Sequence, residues 1–254
     1  MQIIDTHTHL YGNAFLGDID AVIARAEAEG VGKMYLPAID SETHEAMLKL
    51  ESRYPGKCIA MMGLHPCSVK EDYKQELAII EEWLGKRSFA AVGEIGLDYY
   101  WDRNFDKQQI EAFHQQIEWA LHYKLPIVIH SRESMEDSIT IVREHQKGAL
   151  GGIFHCFTGT TDQARRIIDA GFYLGIGGVL TYKKSGLPEA LVDIPLESMV
   201  LETDAPYLPP VPYRGKRNES SYLKYILEKL AEVKGVSTEE VAKITSANAQ
   251  KIFG

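Results

Sequence analysis

The sequence predicts an α/β fold, a single (β/α)8 barrel of the TIM type, on three observations. Short apolar runs alternate with longer amphipathic segments along almost all of the 254 residues. Eight of those runs read as strands that are nearly continuously apolar, as strands of a parallel sheet covered by helices must be. One such barrel ordinarily takes about 250 residues. No Pro/Gly/Ser-rich linker divides the chain, so residues 1–254 are expected to form one domain.

The strands are expected at "QIID", "KMYLPAI", "CIAMMGL", "FAAVGEI", "LPIVIH", "GGIFHCF", "FYLGIGG" and "SMVLETD". Apolar residues at helical spacing mark helices at Asp18–Glu29, Glu42–Arg53, Tyr73–Gly85, Phe105–Tyr123, Met135–Glu144, Thr161–Ala170 and Leu187–Asp193. Two more, Ser221–Lys234 and Thr238–Phe253, follow the last strand. Gly30, Gly148 and Gly171 stand where helices should stop, and Ser237 with Glu240 has the form of a capping box. The competing fold is a doubly wound open sheet, which usually has fewer strands. No GxGxxG follows the first strand here. The segment "APYLPPVPYRG" directly follows strand eight and reads as a loop of the active face.

A formal charge of −9 argues against broad electrostatic binding of nucleic acid, so any phosphate recognition must be local. No stretch of about 18 apolar residues is present, and no membrane span or membrane partner is expected. Asp5 and His7 come too early for a signal peptide. The three cysteines, Cys58, Cys67 and Cys156, are far apart and form no CxxC. Reduced thiols and a cytoplasmic location are therefore expected, with no obligate protein partner and a monomer as the simplest state.

Chemistry is concentrated where the strands end. His7 and His9 follow strand one, Glu94 ends strand four, His130 strand five and His155 strand six, and Asp204 follows strand eight. In a (β/α)8 barrel these ends converge on the face that carries the active site. Imidazole and carboxylate together suit zinc, manganese, iron or magnesium. Six ligands exceed the needs of one ion with an open position, so two ions sharing a carboxylate is the economical reading.

These residues lie in "IIDTHTHL", "GLHP", "VGEIGLDY", "PIVIHSRES", "FHCFTG" and "LETDAPYLPP...YRGKRNES", with "TSANAQKIFG" near the C-terminus. Over essentially the whole chain the sequence resembles the TatD family of metal-dependent deoxyribonucleases, within the amidohydrolase-like barrels. The resemblance implies one divalent ion on His7, His9, Glu94 and Asp204, with Glu94 bridging to a second on His130 and His155. The implied cofactors are two divalent ions per subunit: zinc, magnesium or manganese. Tyr11 stands where the family usually has Asp or Asn, Ser134 where Ala or Thr is usual, and Ser220 where Pro commonly follows "NE". Tyr11 bears on the surroundings of His9.

The expected reaction is two-metal-assisted hydrolysis of a phosphodiester, with Glu94 and Asp204 as catalytic residues. Asp204 would orient the attacking water and take its proton. The partner would be DNA, as ends or single strands, because recessed ligands admit a chain end more readily than intact duplex. Cleavage would be exonucleolytic, from the 3′ side. His65, Arg132, Lys183 and Arg214 are candidate substrate-binding residues, the two arginines on the strength of the resemblance. Lys184, Lys216 and Arg217 read as solvated loop residues. Tyr99, Tyr100, Trp101 and Tyr207 could stack bases. Asp5 and Glu202 could support the histidines, strand alternation turns Cys156 away from them, and Gly175, Gly177 and Gly178 offer a weak phosphate cradle. His44, His114, His122 and His145 read as packing or surface residues. Two alternatives stay open: hydrolysis of a small C–N, lactone or phosphoester substrate on the same barrel, and a binding scaffold that has lost its chemistry. The scaffold predicts eroded ligands, whereas all six are in place.

Overall fold

The computed structural model describes residues 2–254. Its strands are β1 (Ile3–Asp5), β2 (Val31–Leu36), β3 (Cys58–Ala60), β4 (Val92–Asp98), β5 (Ile127–Arg132), β6 (Gly152–Phe154), β7 (Phe172–Ile176) and β8 (Met199–Leu201). Between them lie α1 (Ile19–Ala28), α2 (Ser41–Arg53), α3 (Tyr73–Lys86), α4 (Asp106–Tyr123), α5 (Met135–His145), α6 (Thr161–Asp169) and α7 (Leu187–Leu191). Helices α8 (Leu223–Lys234) and α9 (Thr238–Phe253) follow β8.

The strands pair in two parallel ladders, β1-β2-β3 and β4-β5-β6-β7-β8. Parallel bridges from Met62 to Val92 and from Thr8 to Ala205 join the ladders at both seams. The Gly93 amide donates to the Met62 carbonyl at 3.0 Å, and the His9 amide to the Ala205 carbonyl at 2.7 Å. The ring is therefore closed, as a (β/α)8 barrel requires.

Two apolar layers hold it. Outward-facing residues such as Met34, Ile129, Leu174 and Leu201 pack under the helices beside Phe113, Ile117 and Ile167. A smaller cluster takes one residue from each strand or its edge: Ile4, Tyr35, Met61, Ala91, Val128, Ile153, Tyr173 and Val200. It fills the floor of the barrel. The C-terminal end of α9 closes it from below, where Phe253 stacks on Tyr35 with ring centroids 4.0 Å apart.

Local signals account for the helix limits. Thr160 accepts from the Gln163 amide while the Gln163 side chain accepts from the Thr160 amide, a complete capping box that starts α6. Ser237 likewise accepts from the Glu240 amide at 3.1 Å and starts α9. Gly30 and Gly171, both at φ +86°, end α1 and α6. Helix α5 ends at His145, with Gln146 already extended, ahead of the expected Gly148. Helix α8 starts later than expected because Ser220–Tyr222 form a 3-10 turn. No helix among the described residues is long and apolar enough to cross a membrane.

Candidate metal centre

Above the floor, the alternation of a strand carries the same face upward. On β5 it runs from Val128 to His130 and Arg132, from β6 through Ile153 to His155, and from β8 through Val200 to Glu202, while Asp204 enters the mouth from a turn past β8 at φ +57°. Strand β4 needs an irregularity. Its pairing with β5 shifts between Gly93 and Ile95, skipping Glu94. The shift brings the Glu94 carboxylate into the mouth, where His7 and His9 arrive just past β1.

Glu94 is the centre of the cluster. Its Oε2 lies 3.1 Å from His7 Nε2 and 3.6 Å from His9 Nε2. Asp204 Oδ1 lies 3.6 Å from His9 Nε2 and 3.9 Å from His7 Nε2, and the two Nε2 atoms are 3.3 Å apart. Donors that share an ion at about 2.0–2.2 Å must stand about 3.0–3.6 Å from one another, so these four fit a divalent cation with small adjustments. The other oxygen, Oε1, faces a second set: His130 Nδ1 at 2.9 Å, His65 Nε2 at 3.4 Å and His155 Nε2 at 3.7 Å. His155 lies between the two sets, its ring stacked on His7 with centroids 3.5 Å apart and its Nε2 3.9 Å from Asp204 Oδ1. All six expected ligands meet in one cluster, five of them lining one cavity and His7 fully buried beside them. His65 joins Glu94 and His130 more closely than the sequence suggested.

The remaining nitrogens decide which atoms are free to bind. The Tyr11 hydroxyl donates to the Pro37 carbonyl at 2.5 Å, so His9 Nδ1–H is the donor in its 2.9 Å contact with that hydroxyl. His9 Nε2 is then left with its lone pair facing the cavity. His130 Nε2–H donates to Asp98 Oδ2 at 2.8 Å, which turns Nδ1 toward Glu94. His155 Nδ1 lies 2.9 Å from Glu202 Oε1, close enough for charge pairing although its N–H points off that line. His65 differs. Its Nδ1 accepts from the Cys67 amide at 3.0 Å, so the neutral ring carries its proton on Nε2 and donates into the site. His7 Nδ1 is buried without a partner.

Burial opposes the charge on Glu94, Asp204, His155 and His130, and their neighbours outweigh it. At His7 and His65 burial prevails and holds the imidazoles below their usual range. Burial would raise the Glu94 carboxyl, but His7, His65 and His155 hold it well below its usual range. Asp204 is also lowered, burial being outweighed by His9, His155 and His7. Burial would lower His155, yet Glu202 and Glu94 push it up to about 10. His130 is raised against its burial by Asp98 and Glu94. The buried carboxylates thus draw positive charge into the mouth, protons in the free protein or a metal ion in their place.

A cavity of about 680 Å³ opens above the cluster, and His65 and Arg132 line it. Lys183 and Arg214 stand outside that lining, exposed on the rim, with the Arg214 guanidinium 3.8 Å over the Tyr182 ring. Several further expectations change. Cys156 lines the cavity because β6 ends at Phe154 and the chain turns at Cys156 with φ +47°, so alternation no longer applies. Asp5 holds the Thr203 amide and the Thr203 and Ser220 hydroxyls, and takes only the backbone amide of His7. Burial pushes Asp5 up to about 7. Gly175 makes room for Glu202 and offers no phosphate cradle: a Cβ there would lie 2.3 Å from Glu202 Oε2. Tyr99 is buried, donating to Asp137, and packs in place of stacking bases. Arg217 pairs with Asp18, as a solvated loop residue can. His114 and His145 contact each other at 2.7 Å between α4 and α5, away from the mouth. Asp98 was missed in sequence. Its only signal is its place at the end of β4, four residues after Glu94.

A closed α/β barrel with a histidine–carboxylate cluster at the C-terminal ends of its strands defines a metallohydrolase-type barrel. The model of the TatD related DNase family matches residues 4–254. A protein of Bacillus subtilis, the uncharacterized metal-dependent hydrolase YabD, is 40% identical over 253 residues, 99% of each chain. The 3′-5′ ssDNA/RNA exonuclease TatD of Salmonella typhimurium is 35% identical over 99% of this chain and 98% of its own. The crystal structure of YjjV, a TatD homologue from Escherichia coli, superposes with a TM-score of 0.93 at 31% identity, covering 99% of this chain and 97% of that one. The chain belongs to the TatD family and is a metal-dependent hydrolase.

Proposed function

We propose that the chain is a deoxyribonuclease that removes nucleotides from the 3′ end of DNA ends or single strands by two-metal hydrolysis of the phosphodiester. The observation that carries this reading is the division of Glu94: one oxygen faces His7 and His9, the other His130 and His155. His7, His9, Glu94 and Asp204 would hold one divalent ion, and Glu94, His130 and His155 the other. Bound there, the ions supply positive charge to the phosphate oxygens and acidity to a water.

The protein's own groups do the rest. Asp204 Oδ1 faces the first set, which leaves Oδ2 to orient the attacking water and take its proton. Its lowered pKa keeps that carboxylate ionised and ready. His65 Nε2–H donates to a phosphate oxygen. Arg132 on the cavity wall binds the phosphate, and Lys183 and Arg214 on the rim bind phosphates further along the strand. Water adds to phosphorus, the bond from phosphorus to O3′ of the penultimate nucleotide breaks, that oxygen takes up a proton as the strand's new 3′-hydroxyl, and a 5′-mononucleotide leaves. One domain of residues 1–254, acting as a monomer in the cytoplasm, suits the unpaired Cys58, Cys67 and Cys156.

The test is an assay of protein reconstituted with zinc, magnesium or manganese on end-labelled single-stranded and duplex DNA, beside a panel of lactones and amides. Stepwise release from the 3′ end is expected, falling at least a thousandfold in Asp204→Asn and Glu94→Ala. Turnover of a lactone or amide without nuclease activity would overturn the reading.

A further inference from the structure

We propose that the barrel mouth contains a nucleobase-binding subsite, in which Trp101 and Tyr207 stack the unpaired bases at the end of a single strand. The proposal rests on the phosphodiesterase reading and names what selects its substrate. Seven large apolar side chains are exposed among the described residues, and five of them, Tyr100, Trp101, Tyr207, Leu208 and Val211, lie in the loops after β4 and β8. Those strands stand opposite each other in an eight-strand ring, so the aromatic faces flank the mouth from two sides. Trp101, Tyr207 and Leu208 line the same cavity as His9, Glu94 and Asp204. Trp101 is 67% and Tyr207 55% exposed, an arrangement that packing alone would not favour.

Charge says what the occupant is. The protein carries a net charge of −9, yet each wall holds an arginine over an aromatic ring with no ion-pair partner among the described residues. Arg132 lies 3.7 Å from the Tyr100 centroid and 5.2 Å from that of Trp101, and Arg214 lies 3.8 Å from that of Tyr182. A guanidinium held over a ring keeps its edge N–H groups free for phosphate. Stacking faces beside phosphate-binding cations are the elements of a single-strand site. A base inside a duplex has both faces covered and a terminal one is still held by its pairing partner, so neither enters singly between the walls, whereas a frayed or single-stranded end can. The ring of Tyr207 also lies 6.0 Å from that of His9, which places the terminal base directly above the metal-binding residues.

The test separates bases from phosphates. Fluorescence anisotropy in chelator measures binding of a labelled single-stranded oligonucleotide and of one whose three 3′-terminal nucleotides are abasic, with every phosphate kept. Wild type is expected to bind the base-bearing strand about five- to hundredfold more tightly. Trp101→Ala and Tyr207→Ala are each expected to shrink that ratio several-fold, and the double variant to bring it near one. Leu16→Ala, at an exposed apolar side chain outside the mouth, keeps the full ratio. Equal binding of the two strands by wild type, or no detectable binding of either, overturns the proposal, as does an undiminished ratio in the double variant. Discriminating binding by a protein that cuts neither strand once metal is restored would leave the subsite standing and overturn the nuclease reading alone.

Discussion

The Tyr11 hydroxyl sits between His9 Nδ1, 2.9 Å away, and the Pro37 carbonyl, to which it donates. A neutral phenol thus fixes the tautomer of the His9 imidazole and leaves its Nε2 facing the cavity. Tyr11→Phe would leave the His9 Nδ1–H and the Pro37 carbonyl without partners. Calorimetric titration of chelator-stripped Tyr11→Phe with zinc is expected to show a ten- to hundredfold loss of affinity at one site, at unchanged helix content. Unchanged affinity at both sites would remove Tyr11 from the metal centre.

Gly175 gives Glu202 its place beside His155. A methyl group at Gly175 would lie 2.3 Å from Glu202 Oε2, so Gly175→Ala must displace the carboxylate, and His155 with it. Metal affinity in Gly175→Ala is expected to fall at least tenfold, matching Glu202→Ala. A Gly175→Ala protein that binds metal like wild type would mean that Glu202 does not orient His155.

Away from the mouth, Arg25 makes two hydrogen bonds to Glu219, at 2.8 and 2.6 Å. Burial tends to raise the Glu219 carboxyl, but Arg25 and Ser221 outweigh it and lower it from its ordinary 4.5. A carboxylate lowered in the folded state contributes stability above its unfolded pKa and loses it as pH falls through the folded value. Because the Arg25 side chain is 45% exposed, its removal in Arg25→Met is expected to cost only about 1–2 kcal/mol at pH 7. Denaturant titrations from pH 7 to 3 should show that deficit narrowing below pH 4.5. A constant deficit would assign the loss to packing of the arginine stem.

The floor of the barrel can be separated from its mouth. Phe253→Ala removes the ring stacked on Tyr35 and is expected to cost about 2 kcal/mol of stability, since Phe253 is only partly buried. Metal stoichiometry should stay that of wild type. A loss of bound metal at temperatures where the variant is folded would show that floor and mouth are coupled.

Much of the site was legible because a parallel barrel repeats one local rule. An apolar run covered by helices ends in a polar residue at a shared rim, and His130 and His155 follow that rule by simple alternation, while Asp204 reaches the same rim through a left-handed turn at φ +57° past β8. Glu202 follows from the same period, two residues after the inward-facing Val200. What escaped depends on contacts that no spacing encodes. His65 was legible as a substrate-binding candidate, but not the tautomer that the Cys67 amide sets by claiming its Nδ1. Asp98 acts through His130, a residue on the next strand. Asp5 shares the face expected of a histidine partner, but Thr203 and Ser220 offer their hydroxyls first. Glu94 reaches the mouth through a register shift that the alternating pattern of "FAAVGEI" does not announce.

Anomalous diffraction from crystals soaked in manganese tests the central claim most directly. Two peaks are expected about 3.5–4 Å apart, one among His7, His9 and Asp204, the other beside His130 and His155, with a Glu94 oxygen on each. A single peak, or two that do not share Glu94, would contradict it.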